Sequence, residues 1–198
     1  MFEKFVGRTP EYVGENKNNS YAVLLPFIKE KEAFLFEVRA ATLAHQPGEV
    51  CLPGGKIEQG ETPQHAAVRE TCEELLLLKE KHVRIIAPLD VQFTPWQSTI
   101  FPFLGELQYE EGYNESEVQE VFTVPVSFFT STKPQMLELT SSRIPKDPQN
   151  FYRALGIESY TWESMQETVP VYHYEGKIIW GLTARIMQNF SQLYIDNK

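Results

Sequence analysis

The sequence is short of cysteine, of positive charge and of long apolar runs, and each shortage removes a class of protein. Cys51 and Cys72 are its only thiols. Two are too few for a disulfide framework, so the fold rests on a buried core and the chain fits a reducing compartment. Both read as small core residues. Lysine and arginine number 18 against 27 acidic residues, a net charge of −9. That balance argues against a broad basic surface holding nucleic acid by its phosphates. It leaves room for a small phosphorylated ligand held by a local arginine or a metal. No stretch approaches the roughly 20 apolar residues that span a bilayer. The polar segment Met1 to Ser20 lacks the apolar run of a signal peptide, and Asp196-Asn197-Lys198 is no peroxisomal address. The expectation is a soluble cytoplasmic protein without a membrane partner.

What is present suits one domain over residues 1–198, with 42% hydrophobic residues to build a sizeable core. One stretch organises it. Gly54-Gly55-Lys56-Ile57-Glu58-Gln59-Gly60-Glu61 reads as a glycine-rich loop, and Thr62-Pro63 as the N-cap and first position of a helix. Within that helix Ala67, Thr71, Leu75 and Leu78 recur at helical spacing, as do Val68, Cys72 and Leu75, so one side can face a core. Glu70, Glu73 and Glu74 stand at i, i+3 and i+4 and share another face. Like charges at that spacing repel, whereas a hard divalent cation such as Mg²⁺ or Mn²⁺ would bind their oxygens and keep positions open for water and phosphate. A solvated acidic face is the plainer alternative.

A resemblance to a known family bears on the choice. Gly55, Glu61, Arg69, Glu70, Glu73 and Glu74 resemble the Nudix box, G-x5-E-x7-R-E-U-x-E-E-x-G-U, where U is a bulky aliphatic. Six of its seven fixed letters are present. With each residue type used at roughly 5–7%, chance agreement is on the order of one in ten million. Thr71 departs at an aliphatic position, and Leu76 replaces the glycine that helps the helix end, which puts that helix exit in doubt. The resemblance implies an α/β fold, the Nudix α/β/α sandwich with a mixed central β-sheet. It also implies hydrolysis of a nucleoside diphosphate linked to another group.

The segment just upstream resembles the coenzyme A pyrophosphatase branch of the family. That signature runs roughly L-L-T-x-R-S, a few residues, then L-R-x-x-x-G-x-x-x-F-P-G-G. Leu35, Arg39, Leu43, Gly48 and Pro53-Gly54-Gly55 fall in register, while Ala40, Ala44 and Leu52 depart from its Ser, second Arg and Phe. The missing arginine at position 44 bears most on a phosphate-rich ligand. Arg39 reads as a phosphate contact or a strand-end ion pair, and His45 as a site residue or an ordinary loop group. The run Glu117 to Val126 resembles E-V-x-x-x-F-x-V-P-L of the same branch. Glu117 is then an auxiliary metal ligand or base, or else an acid favoured at a helix start.

The remaining chain reads as follows. Tyr21 to Ile28 and Ala33 to Val38 form a hairpin, with Pro26 marking an edge or a bulge. Val83 to Phe93 and Ser98 to Gln108 are partner strands joined by a turn at Thr94-Pro95-Trp96-Gln97. Residues 130–168 are an insertion whose aromatics, near Arg143 and Arg153, either stack on a base or pack at the surface. Val169 to Tyr174 is a strand, and Ile178 to Ala184 opens the last helix with an I-W-G-x-T-A run similar to that of the branch.

By the resemblance, Glu70, Glu73, Glu74 and the Gly54 carbonyl hold the metals. Glu61 and Arg69 form a supporting ion pair, and Gly55, Arg39 and His45 meet substrate. Glu70, Glu73 or Glu117 is the base. Coenzyme A is the leading substrate, with ADP-ribose or a dinucleotide as the alternative. A nucleotide-binding regulatory module without turnover is the alternative of another class. Symmetric dimers are common, so a homodimer is one assembly open to such a chain.

Overall fold

The computed structural model describes residues 19–77, 82–95 and 98–196. Leu78, Trp96, Gln97 and the polar segment up to residue 18 lie outside the described residues. The chain clusters into two compact units, one ending at Phe128 and the other beginning at Phe129.

The first unit is built on β1, Ser20–Ile28, an almost unbroken apolar run. Ala22, Leu24 and Leu25 are fully buried along it, as expected of a strand covered on both faces. β2 (Ala33–Arg39) returns from it after a tight turn in which Glu32 is left-handed, at φ 47°. β3 (Val50–Cys51), β4 (Gly54–Lys56), β5 (Val83–Pro88), β6 (Gln92–Phe93), β7 (Thr99–Leu107) and β8 (Val118–Pro125) complete the described sheet. The order across it is β3-β2-β1-β7-β5, with β4 beside β1, β6 beside β7 and β8 beside β2. β1 and β7 run parallel and the other pairs antiparallel, so the sheet is mixed, as expected.

Pro26 corrects the reading of an edge strand, because β1 lies at the centre of this order, with Pro26 opposite Gly105 of β7. The other flank of β1 is shared. β2 takes Phe27 and Ile28, β4 takes Tyr21 to Val23, and the Leu24 N–H donates to the Pro53 carbonyl at 2.9 Å. Pro26 falls in the gap between these partners, where its missing N–H deprives no ladder. This divergence of β2 from β4 opens one edge of β1 beside the glycine turn.

Helix α1, Pro63–Glu74, packs over the sheet. The Thr62 hydroxyl accepts the His65 N–H at 3.2 Å, and Pro63 sits in the first turn, as the sequence requires. Ala66, Ala67 and Leu75 form a core with Ala22, Leu24, Ile28, Leu35, Phe103 and Leu107, while Val68 and Cys72 pack at its margin. The Thr71 hydroxyl donates to the Ala67 carbonyl at 2.7 Å, which satisfies it inside that core.

The exit of α1 keeps its turn without the glycine. Leu76 adopts φ 49°, and the Leu77 N–H donates to the Cys72 carbonyl at 2.9 Å, the six-to-one bond of a Schellman ending.

The second unit holds β9 (Gln135–Ser141), α3 (Pro148–Leu155), β10 (Met165–Tyr174), β11 (Lys177–Trp180) and α4 (Gly181–Asp196); α2, Val126–Ser131, crosses from one unit to the other. Ile178 to Trp180 do not open the last helix. They form β11, antiparallel to β10, with Tyr172 opposite Ile179. Their β-branched and aromatic side chains suit a strand, and Gly181, at φ 62°, makes the break before α4. Ile179, Ile186, Met187 and Phe190 are buried there, and the Ser191 hydroxyl donates to the Phe129 carbonyl at 2.9 Å. Within residues 130–168, the rings of Phe151 and Tyr160 each pack against Trp162, at 6.0 and 5.0 Å between centroids.

A non-glycine residue in the left-handed region costs about 1–2 kcal/mol, part of which glycine's greater chain entropy offsets. Leu76 is exposed, so its side chain contributes little packing. Leu76→Gly is therefore expected to raise unfolding stability by about 0.5–1 kcal/mol. Urea unfolding followed by circular dichroism checks this, and a loss of stability would contradict the turn assignment.

Candidate active site

Two adjacent glycines set how closely the sheet and α1 approach. Gly54 has φ 151°, and a Cβ there would stand 2.3 Å from the Ala22 carbonyl oxygen. A Cβ on Gly55 would stand 2.3 Å from the carboxyl carbon of Glu70. The first glycine lets the chain pass against β1, and the second lets a carboxylate press on the turn. Glu74, in the last turn of α1, reaches back to the same place. Its Oε2 accepts the Gly54 N–H at 2.8 Å, and the residue is buried.

Arg69 braces the outer side. Its guanidinium bonds Glu61 through Nε at 3.0 Å and through Nη2 at 3.1 Å, a bidentate pair. Nη2 also donates to the Lys56 carbonyl, and Nη1 reaches Glu70 Oε1 at 2.8 Å and Glu73 Oε2 at 3.2 Å. One side chain thus ties the loop to the helix. The three box carboxylates differ in setting: the Glu73 side chain is 57% exposed, that of Glu70 17%, and Glu74 is buried.

A fourth carboxylate was missed by the sequence reading. Glu37 of β2 is 1% exposed, and its Oε1 has no hydrogen-bond partner. Alternation along the strand puts it on the face of Leu35, which packs into the core under α1. It stands opposite Cys51 of β3 and Val121 of β8. The sequence did carry a signal, since Glu37 occupies the Thr position of the L-L-T-x-R-S signature.

Glu117 precedes strand β8, so the helix-start reading of this acid fails. Its carboxylate accepts from the Asn114 amide at 3.2 Å, and its carbonyl accepts the Ala40 N–H. Arg39 donates from Nε to the His45 carbonyl at 3.2 Å, and Gly48 and Glu49 close the loop on the Arg39 backbone. Arg39 makes no ion pair among the described residues. The His45 side chain is exposed, and its backbone carbonyl is what ties it to Arg39.

These positions shift one another's protonation. Burial first, with Glu117 nearby, pushes Glu37 from 4.5 up to about 8, against the opposing charge of Arg39. Burial, then the charge of Glu37, raises Glu74 well above the carboxylate range, and the Gly54 N–H opposes this. Burial raises Glu70 while Arg69 pulls it down, and hydrogen bonding to Arg69 lowers Glu61. Burial, followed by the charges of Glu37 and Glu74, raises the Cys51 thiol, so it is no thiolate nucleophile. Glu70 and Glu74 meet the glycine turn, and Glu37 and Glu117 join them in one electrostatically coupled acidic group. Among the described residues, no three histidine, cysteine or acidic side chains already converge as a metal cage.

The model of the NUDIX domain matches residues 18–142, well over half of the chain. The chain belongs to the NUDIX domain family. A Nudix hydrolase NudL of Photorhabdus laumondii, itself uncharacterized, is 28% identical over 186 residues, covering 92% of this chain and 88% of that one. Nudix hydrolase 3 of Caenorhabditis elegans is 26% identical over 187 residues, covering 88% and 73%. The mouse peroxisomal coenzyme A diphosphatase NUDT7 is 31% identical over 116 residues, which are 57% of this chain. That match spans only 49% of the mouse protein. The NUDIX match includes every residue of the acidic group.

Raised carboxylate pKa values carry a sign for stability. The folded state keeps protons on Glu37 and Glu74 that the unfolded chain releases near 4.5, so their contribution is fully present below that pH. It is lost as pH rises toward about 8. With divalent cations chelated, the melting temperature is expected to fall between pH 5 and 8. Glu37→Gln is expected to flatten that fall, and an unchanged slope in differential scanning fluorimetry would contradict the assignment.

Proposed function

We propose that this NUDIX protein is a metal-dependent hydrolase of a nucleoside diphosphate linked to another group, acting on coenzyme A or its derivatives. The products are 3′,5′-ADP and 4′-phosphopantetheine or its acyl form. The observation that carries the reading is the meeting of two carboxylates at the Gly54-Gly55 turn, Glu70 against Gly55 and Glu74 on the Gly54 N–H, with the buried Glu37 electrostatically coupled to Glu74. Carboxylates brought together under a helix need protons or a counter-charge, and a cation supplies the second.

The residues fit a hard cation. The donors are all oxygens, Glu70 lies against the backbone of Gly55, and one buried carboxylate oxygen has no partner. Glu70, Glu73, Glu74 and the Gly54 carbonyl would hold Mg²⁺ or Mn²⁺. When bound, the ion offsets the charge of the diphosphate and lowers the pKa of water.

The protein's own groups do the rest. Arg69 fixes α1 against the Lys56–Glu61 loop, which sets where Glu70 and Glu73 point. Water attacking phosphorus must lose a proton. Glu70 and Glu73 each have one oxygen bonded to the Arg69 cation, whereas Glu117 is exposed and is bonded by the neutral Asn114 amide, and we assign it as the base. Arg39 retains guanidinium donors for a ligand phosphate, with the loop through His45 at its side. The name of the mouse relative supports coenzyme A, as does the register of Leu35, Arg39, Leu43 and Gly48. Ala44, in place of an arginine, favours a second reading in which ADP-ribose or a dinucleotide is cleaved. Residues 130–168 stand in this proposal as an insertion. Neither Cys51 nor Cys72 is in a disulfide, which supports a reducing compartment such as the cytoplasm.

Mass-spectrometric product analysis separates these readings. With Mg²⁺ or Mn²⁺ present, 3′,5′-ADP is expected from coenzyme A in preference to cleavage of ADP-ribose, NADH or diadenosine polyphosphates. Glu74→Gln is expected to abolish turnover while remaining folded. Glu117→Gln is expected to lower kcat by about 10²–10⁴ with KM little changed. Ligand binding without turnover in the wild type would instead favour a regulatory module.

A further inference from the structure

We propose that Glu37 is a direct ligand of the divalent cation, reaching the site from the sheet beneath α1 and adding an oxygen donor to those of the Nudix box. The inference rests on the metal-dependent reading above. It comes from three observations independent of the box spacing. Glu37 is 1% exposed in the middle of a strand whose neighbours from Ala33 to Val38 are all buried. Its Oε1 has no donor. Strand alternation directs it toward the side on which α1 packs, where Glu74 carries the second buried carboxylate.

A buried carboxylate in a well-packed strand needs donors or a counter-charge. The nearby candidates do not supply them to Oε1. Arg39 directs Nε to the His45 carbonyl and also serves Cys51, the Gly54 N–H is taken by Glu74, and the Cys51 thiol opposite Glu37 is held protonated by burial and by the charges of Glu37 and Glu74. Glu74, Glu117, Cys51 and Tyr109 all sense the charge of Glu37 or impose theirs on it, so the titratable groups coupled to it are acids, a thiol and a phenol apart from Arg39. An oxygen-seeking cation satisfies the orphaned oxygen and the repulsion together. A shared proton would satisfy them too, and the experiment below separates the two.

Mn²⁺ alone is the probe, titrated into the full chain and followed by the electron paramagnetic resonance signal of the free ion. The water count on bound Mn²⁺ is measured in parallel by proton relaxation. Wild type, Glu37→Gln, Glu37→Thr and Glu74→Gln are compared, and fluorimetry in chelator verifies that each is folded. If Glu37 is a ligand, both substitutions at 37 weaken Mn²⁺ binding by about tenfold or more. The bound ion then gains one exchangeable water. Affinity within twofold of wild type in a folded Glu37 variant would overturn the proposal and leave a proton shared between Glu37 and Glu74. Weaker binding without the extra water would also overturn it, since Glu37 would then act only through its charge. Failure of wild type and Glu74→Gln alike to bind Mn²⁺ would instead remove the metal-dependent reading itself.

Discussion

The hydrogen bond from the Gly54 N–H to the Glu74 carboxylate joins the glycine turn to the last turn of α1. It brings an ionisable group into a buried setting, where one backbone donor meets only part of the need of its charged form. Much of the site follows from that contact. Gly54 must lack a side chain to lie against Ala22 and Val23, and Gly55 must lack one to admit Glu70. Ala66 and Ala67 must be small for α1 to settle over β1 and β4. Arg69 then closes the outer side by pairing with Glu61, Glu70 and Glu73.

The price of this arrangement is concentrated negative charge. Burial raises Glu37, Glu70 and Glu74, and each adds to the repulsion felt by others in the group. Without a cation, protons relieve the repulsion. With one, the same oxygens become ligands. Stability and ion binding are therefore linked through one set of residues.

The helix and its machinery were legible because they are local. Thr62-Pro63, the apolar stripe from Ala67 to Leu75 and the spacing of the glutamates lie within one stretch, and the Nudix box fixes their register. The pairing of Arg69 with Glu61, which the resemblance implied, is present in the structure. The mixed sheet was legible as a class, but its detail was not. Pro26 looked like an edge or bulge residue because the forking of β2 away from β4 cannot be seen along β1 alone. Ile178 to Trp180 looked helical because they run straight into α4, although Gly181 marks the break. Glu37 escaped notice for a long-range reason. In Phe34-Leu35-Phe36-Glu37-Val38 it reads as the polar face of an ordinary strand, and only the packing of α1 covers that face.

An anomalous difference map from crystals soaked in Mn²⁺, recorded at the manganese edge, tests the central claim most directly. The account predicts a peak bounded by the carboxylates of Glu70 and Glu74 and the Gly54 carbonyl. A map with no peak at the Gly54-Gly55 turn, under conditions in which the protein turns over substrate, would contradict it.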